Sequence, residues 1–430
     1  MRDDGIVRVG VLGCGHVGSA LIRLIHDNSN AIEARTGVKL EVARVAVRNV
    51  SRQRDVPIPA DRFTHDPESV VLDPDVDVVI EVIGGIEPAR GLIAAALEKG
   101  KPVVTANKEL LANVGQELFE LAASAGVDLL FEASVGGGIP IMRPLRESLA
   151  GDRVQRVLGI VNGTTNFILS RMSDDGSTFQ AALAEAQTLG YAERDPTADV
   201  EGFDAAAKAA IIASLAFNAR VVAGDVYREG ISEITDHDIA AAKSLGYVVK
   251  LLAIIEAVDD DIAVRVHPAM VPADHALASV SGSFNALFVE AEAAGELMFY
   301  GRGAGGNPTA SAVLGDVVDA ATNLMHQRRG ATVGPFERRP VRPIDEVESE
   351  FYVMMEVRDR PGVLAMIADC FGRHGVSIRS MQQYGIREDA RITFITHRAR
   401  EADLQATITD IGKLDIVERV GSVLRVIGNA

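Results

Sequence analysis

The sequence predicts an α/β protein with a doubly wound parallel sheet at the amino end and an α+β unit after it. At the carboxyl end it predicts a small module in ferredoxin-like β-α-β-β-α-β order. Three observations predict this. Through the first 140 residues short apolar runs alternate with helical patterns, as expected of a parallel sheet covered by helices. A glycine-rich turn, VLGCGHVGSA, closes the first apolar run and opens the first helical one. Behind a proline-bearing stretch, residues 350–430 spell out the strand and helix order of the last module.

The elements follow in order. IVRVGVL is the first expected strand, GHVGSALIRLIHDN the first helix and KLEVARVAV the second strand. DVDVVIEVIGG, KPVVTAN and VDLLFEAS are further strands, separated by the helical PARGLIAAALEKG and KELLANVGQELFELAASAG. From about Gly151 the alternation gives way to longer helices, with candidate strands only at RVQRVLGIVNG and DDIAVRVHPAMV. This places a nucleotide-type unit at 1–140, a second unit at 141–304, a linker at 331–349 and the last module at 350–430. The linker segment, ATVGPFERRPVRPIDEVESE, carries three prolines and mixed charge without apolar periodicity. The module after it reads FYVMMEVRD, PGVLAMIADCFGRHG, VSIRSMQQYG, RITFITHRA, EADLQATITDIGKL and DIVERVGSVLRVIG. About 80 residues can hold their own small core, so this module need not contribute to the rest of the fold.

Composition excludes several classes. The 430 residues, 47% hydrophobic and 24% charged, suit a globular chain of several domains. Cys14 and Cys370 form neither a disulfide framework nor a metal-ligand pattern, and a reducing cytoplasm fits them best. The opening MRDDGIVRVG lacks the regions of a signal peptide, and Lys208 and Arg220 interrupt the best candidate for a membrane span. A formal charge of −17 disfavours polyanions, so neither nucleic acid nor membrane is an expected partner.

The turn sets Gly13, Gly15 and Gly18 in G-x-G-x-x-G spacing between a strand and a helix, the arrangement of a Rossmann-type dinucleotide site. Gly13 makes the tight turn, Gly15 lets pyrophosphate approach the backbone and Gly18 lets helix and strand pack closely; the alternative is a plain strand-helix turn. Where the second strand ends, an NAD-selective site commonly has an acidic residue, and here stands Arg48. It can meet a 2′-phosphate, favouring NADP over NAD, with Arg52 or Arg54 as helpers, or it can be a solvated surface arginine.

Lys108, in TANKEL, follows a strand at the carboxyl end of the sheet, where open α/β folds bind ligands, unless it is an exposed lysine at a helix start. Asp204 and Lys208 stand at i and i+4 on one helix face, as in a surface ion pair. Their neighbours AAAKAAIIASLAF argue against exposure, because a buried ammonium must meet a partner or ligand. Glu193 and Asp195 lie just upstream in the turn-rich GYAERDPTAD, suited to the edge of a site.

Residues 186–208, AQTLGYAERDPTADVEGFDAAAK, resemble the signature of the homoserine dehydrogenase family, and so do GCGHVG, TANK, FEASVGGGIPI, VNGTTNFIL, RVHPAMVP and GAGGNPTASAVLGD. The resemblance covers about residues 5–325, and the tail from VRDRPGVLAMIADCFGRHGVSI resembles an ACT domain. His16 departs from the family, where a smaller residue is common, and can alter the cofactor entrance.

The resemblance implies NAD(P)-dependent interconversion of L-homoserine and L-aspartate 4-semialdehyde. It implies Lys208 as acid/base and Lys108 as a second cation, each lowering the other's pKa. Glu193 and Asp204, with Asp199, are implied to hold the substrate's α-ammonium, and Thr164 and Tyr191 to contact substrate. His16, Val17 and Thr105 join the glycine turn around the cofactor, with Gly303 and Gly305 on the nicotinamide side. A monovalent cation, sodium, is implied on main-chain carbonyls at Glu132, Val135, Gly137 and Ile139, where a glycine-rich hinge is the alternative. The resemblance further implies that about 305–330 completes the first unit, that the second unit dimerises, and that a homodimer or homotetramer forms. Threonine is the implied effector at the ACT domain, near Asp359 and Gly362, unless these merely start a helix. Two rivals are another NAD(P) oxidoreductase of a small carbonyl compound and a non-catalytic amino-acid sensor. The sensor predicts loss of Lys108, Lys208 or the carboxylates, and none is lost.

Overall fold

The structure, a computed structural model, describes residues 5–331, 333–385 and 390–428. The extreme ends of the expected first and last units, 1–4 and 429–430, and linker position 332 lie outside the described residues.

Six parallel strands form the amino-terminal sheet, in the spatial order Phe63–Thr64, Lys39–Ala46, Ile6–Leu12, Val78–Glu81, Val103–Thr105 and Leu129–Leu130. The chain runs outward from Ile6–Leu12 to one side and then returns to the other. The switch point therefore lies beside Ile6–Leu12, and a crevice opens there at the strands' carboxyl ends. Val7, Val9, Val11 and Ile80 share a core with Leu21, Ile22 and Ile25 of the helix His16–Asp27. The helix Gly306–Met325 returns to the same core with Val313, Val317 and Ala320. Covered on both faces, the central strands Val78–Glu81 and Val103–Thr105 are buried along their whole length. The last expected strand, VDLLFEAS, shrinks to Leu129–Leu130, because the buried Glu132 turns the chain into the short helix Glu132–Ser134.

The second sheet is mixed and larger. Its path is Gly295–Arg302, Phe284–Ala291, Val154–Ile160, Tyr247–Val258, Asp261–Pro272, Val417–Val426, Glu348–Val357, Ala390–Thr396 and Ile378–Tyr384. Of the strands that the second unit gives it, two stand where the sequence predicts them, at Val154–Ile160 and Asp261–Pro272. Tyr247–Val258, Phe284–Ala291 and Gly295–Arg302 replace the expected longer helices. Tyr247–Val258 is paired on both sides and buried from Val249 to Ile255, so it shows no period-two alternation to betray it. The helices Gly163–Asp175 and Phe203–Ala216 lie on this sheet; the second buries Ala205, Ala206, Ala209, Ala210, Ile212 and Ala213.

The carboxyl-terminal module shows the predicted β-α-β-β-α-β order, with helices Val363–Arg373 and Glu401–Ile411 over a core of Phe351, Val353, Ile367, Phe371, Phe394 and Leu404. It is not self-contained. Its last strand pairs in parallel with Asp261–Pro272, Ala269 opposite Arg425 and Met270 opposite Val426, so one sheet runs through both units. Tyr352, Met354, Leu424 and Val426 belong to the core of the preceding unit. The expected linker is pinned as well. Arg220 N donates to Glu337 O at 2.9 Å, Ile262 N to Pro340 O at 3.1 Å and Arg342 N to Ile262 O at 2.8 Å.

Candidate active site

At the switch point the three turn glycines meet three different constraints. Gly13 has φ +108, and a Cβ on it would stand 2.8 Å from Val82 O. A Cβ on Gly18 would stand 2.2 Å from Gly13 O, so turn and helix touch backbone to backbone. A Cβ on Gly15 would meet nothing within 4 Å, which leaves open space above the turn. His16, exposed, begins the helix, and Val17 packs beneath it; the helix has no side-chain N-cap, so its first N–H groups face that space. Gly305, φ +122, starts the helix Gly306–Met325, and a Cβ on Gly306 would lie 3.2 Å from His16 O. A Cβ on Gly137 would lie 2.5 Å from Gly303 O. The loop carrying Gly303 and Gly305 thus closes one side of the turn.

Arg48 and Arg52 are exposed just past the second strand. The guanidinium of Arg54, the alternative helper, donates to Arg52 O at 2.7 Å and Asn49 O at 2.9 Å, stapling its own loop. Thr105 points inward, its hydroxyl donating to the buried Glu81 at 2.6 Å and accepting from Asn107 N at 3.0 Å. Asn107 then caps the helix Lys108–Ala125 through Leu110 N at 3.1 Å. Thr105 therefore helps place Lys108, whatever its backbone offers a cofactor.

Lys108 reaches across to Asp204, forming an ion pair with its Oδ1, while Lys208 Nζ donates to Asp204 Oδ2 at 2.7 Å. Lys208 is 9% exposed and also donates to Val161 O at 2.6 Å. Asn162 joins the group: its Nδ2 donates to Asp204 Oδ2 at 2.8 Å and to Asp199 Oδ1 at 2.7 Å. Burial alone would raise the Asp204 pKa, but Lys208 and Lys108 overcome it and hold the carboxyl well below the usual range. Burial likewise pulls the Lys108 pKa down, and the charge of Asp204 more than restores it, leaving a net rise. Mutual repulsion of the ammonium groups, expected to lower a lysine pKa, is thus outweighed at Lys108 by the carboxylate between them.

The other expected substrate residues lie around this cluster. Thr164, buried, donates its hydroxyl to Tyr191 O at 2.7 Å, and the Tyr191 ring packs on Phe167 at 5.0 Å while remaining exposed. Glu193 is exposed in the turn beyond it and, among the described residues, takes no part in the hydrogen-bonded group. Asn162 escaped the sequence reading, although an Asn directly before a helical pattern is an N-cap signal, and here it does cap Thr165 N at 2.8 Å.

The glycine-rich loop at 132–139 is buried apart from Gly138. The Glu132 carboxylate accepts from Met142 N and Arg143 N, both at 2.8 Å, so its side chain braces the next turn. Among the described residues no donor bonds the carbonyls of Val135, Gly137 and Ile139. Buried carbonyls in that state fit a main-chain cation site.

A doubly wound sheet with an open glycine turn, and a lysine-carboxylate-lysine cluster at its carboxyl end, define an NAD(P)-dependent oxidoreductase. The chain matches the homoserine dehydrogenase family over residues 140–318, the NAD-binding domain of homoserine dehydrogenase over 13–132 and the ACT domain over 351–415. It is 51% identical to the homoserine dehydrogenase of Mycobacterium tuberculosis, across 99% of both chains. The crystal structure of a homoserine dehydrogenase from Thiobacillus denitrificans covers 98% of both chains with a TM-score of 0.92 and 41% identity. A hyperthermophilic archaeal homoserine dehydrogenase in complex with NADPH covers 73% of this chain and 97% of its own, with a TM-score of 0.62 and 30% identity. The chain belongs to the homoserine dehydrogenase family.

Proposed function

We propose that the chain interconverts L-homoserine and L-aspartate 4-semialdehyde by the residues grouped around Asp204. The observation that carries this reading is that one buried carboxylate is shared by Lys208 and Lys108 where the nucleotide unit meets the second sheet. A bound nicotinamide exchanges hydride with the substrate carbon. In the reducing direction Lys208 Nζ gives its proton to the carbonyl oxygen; in the oxidising direction the neutral amine takes the hydroxyl proton. Lys108, kept cationic by Asp204, stabilises negative charge developing on that oxygen. Asp199, Asp204 and Glu193 receive the α-ammonium, Asn162 aligns the first two, and Thr164 and Tyr191 bound the same space.

The open Gly15 and the uncapped helix start fit a dinucleotide pyrophosphate, with Gly13 and Gly18 shaping the turn and Gly303 and Gly305 lying on the nicotinamide side. Arg48 with Arg52 favours NADP over NAD. Glu132, Val135, Gly137 and Ile139 hold sodium on their carbonyls. The ACT module takes threonine as a feedback effector, near Asp359 and Gly362, and the enzyme works as a homodimer or homotetramer in the cytoplasm. In that loop Gly362, φ +92, is the N-cap of the helix Val363–Arg373, and Asp359 accepts from Gln383 at 3.4 Å.

Steady-state reduction of aspartate semialdehyde with NADPH and with NADH, with and without threonine, tests the whole reading. Turnover of homoserine is expected to exceed that of a panel of other hydroxy acids; a preference for another member of the panel would assign the site to a different small carbonyl compound.

A further inference from the structure

Outside the lysine-carboxylate cluster, a buried group of charges spans the junction between the two units. Arg425, in the last strand Val417–Val426, is 4% exposed. It donates from Nε to Glu401 Oε2 at 3.0 Å and from Nη2 to Glu401 Oε1 at 2.7 Å. Its remaining arm, Nη1, donates to Glu229 Oε2 at 2.7 Å, across the unit boundary. Tyr227 donates its hydroxyl to the other oxygen of Glu229. Two parallel pairs in the sheet would hold the strand in place with apolar side chains, and desolvating Arg425 and Glu401 is costly. What such a network does provide is one geometry for the groups it holds.

From Glu229 the contacts lead straight to the site. Ile231 N donates to Val200 O at 2.8 Å, and Ser232 Oγ donates to Glu201. Gly230 lies so close that a Cβ on it would stand 2.5 Å from Val200 O. Gly202, φ +79, is the N-cap of the helix Phe203–Ala216, and a Cβ on it would lie 3.4 Å from Glu229 O. The turn at 200–202 thus rests on the 229–232 segment, with Asp199 directly before it and Asp204 two residues after. On their other side these carboxylates are held, among the described residues, by the side chains of Asn162 and Lys108 from other elements and of Lys208 from the helix of Asp204 itself.

We propose that Arg425, a residue of the carboxyl-terminal module, is a positioning residue for Asp199 and Asp204, acting through Glu229 and the 200–202 turn. The module is then part of the frame that sets the substrate site. This rests on the reading of Asp199 and Asp204 as the carboxylates that receive the α-ammonium.

The test uses the full chain with Glu229→Gln, Arg425→Lys and the double variant. Glu229 is 36% exposed at its side chain, so glutamine is accommodated there whether or not Arg425→Lys folds. Glu229→Gln is expected to raise KM for homoserine about tenfold while KM for the dinucleotide stays within about twofold. The double variant is expected to be no worse than the worse single one, because both break the same relay. Unchanged KM for homoserine in a folded Glu229→Gln protein overturns the proposal, and so does an equal rise in both KM values accompanied by a lower melting temperature. Asp204→Asn separates the two readings. If it retains wild-type kinetics, the carboxylate assignment itself fails; if it is inactive while Glu229→Gln is normal, only the relay fails.

Discussion

A lysine ammonium among alanines needs compensation, and at Lys208 it comes from Asp204 one helical turn back and from Val161 O. Both members of that pair were legible in the sequence, since an i, i+4 pair with no polar surface around it has no reason to be a surface bridge. Lys208→Ala is expected to lower kcat by about 10²-fold or more. Glu193→Ala is expected to raise KM for homoserine instead, because an α-ammonium is present in ground and transition states alike. Steady-state kinetics checks both, and a near-normal kcat in Lys208→Ala would remove it as the acid/base. Lys250 was not legible: it sits in the strand that read as helix, 2% exposed, donating to Asn166 Oδ1 at 3.2 Å and Val280 O at 2.5 Å. Burial pushes its pKa down from 10.5 to about 8. Between those values the unfolded chain binds the proton and the folded one does not, so this residue makes unfolding less favourable as pH rises through the window. Urea titrations from pH 8 to pH 10.5 should show wild type gaining stability relative to Lys250→Met. A flat difference would mean that the folded lysine stays charged.

At the scale of single elements, the strand-to-helix turn and its close packing at Gly13 and Gly18 were legible because their demands are local. Gly18 and Gly15 nevertheless fail differently when a methyl is added. Gly18→Ala drives a Cβ into Gly13 O and is expected to lower the melting temperature by separating helix from strand. Gly15→Ala meets no protein atom and keeps φ −83, so its stability should be near wild type while KM for the dinucleotide rises. Equal losses of stability in both would show that the turn is spaced for packing alone. The missed elements share one physical cause. Tyr247–Val258 is a central strand, covered on both faces, and its run YVVKLLAIIEAV is as apolar as a buried helix. Phe284–Ala291 is likewise paired on both sides, and nothing local in a short apolar run says which. Glu132 shortened another strand because its carboxylate binds N–H groups from 141–143, a partner many residues away.

Across the whole molecule, the carboxyl-terminal module was recognisable by its β-α-β-β-α-β order, but its attachment was not, since strand pairing across 150 residues leaves no local trace. The attachment changes what cutting the chain should do. A proline-bearing linker between two independent bodies would be the first place a protease enters, and Arg338 offers trypsin a site there, whereas Arg339 and Arg342 are each followed by proline. In the structure this stretch is hydrogen-bonded along its backbone at Glu337, Pro340 and Arg342, and the Arg342 side chain binds Asp261 at 3.2 Å. Trypsin acting on the native enzyme is therefore expected to spare the bond after Arg338. Removing the module genetically removes more than an appended domain: Met270 loses one of its two strand neighbours, the shared core loses Tyr352, Met354, Leu424 and Val426, and Glu229 loses Arg425. A chain ending near Val341 is expected to melt below the full chain and to turn over homoserine less efficiently, besides losing any response to threonine. Calorimetry and kinetics on the truncated chain, with gel filtration to exclude aggregates, check this. If trypsin releases the module quickly and the remaining body keeps its melting temperature and its kcat/KM, the continuous sheet carries no energy and the module is an appended regulator only.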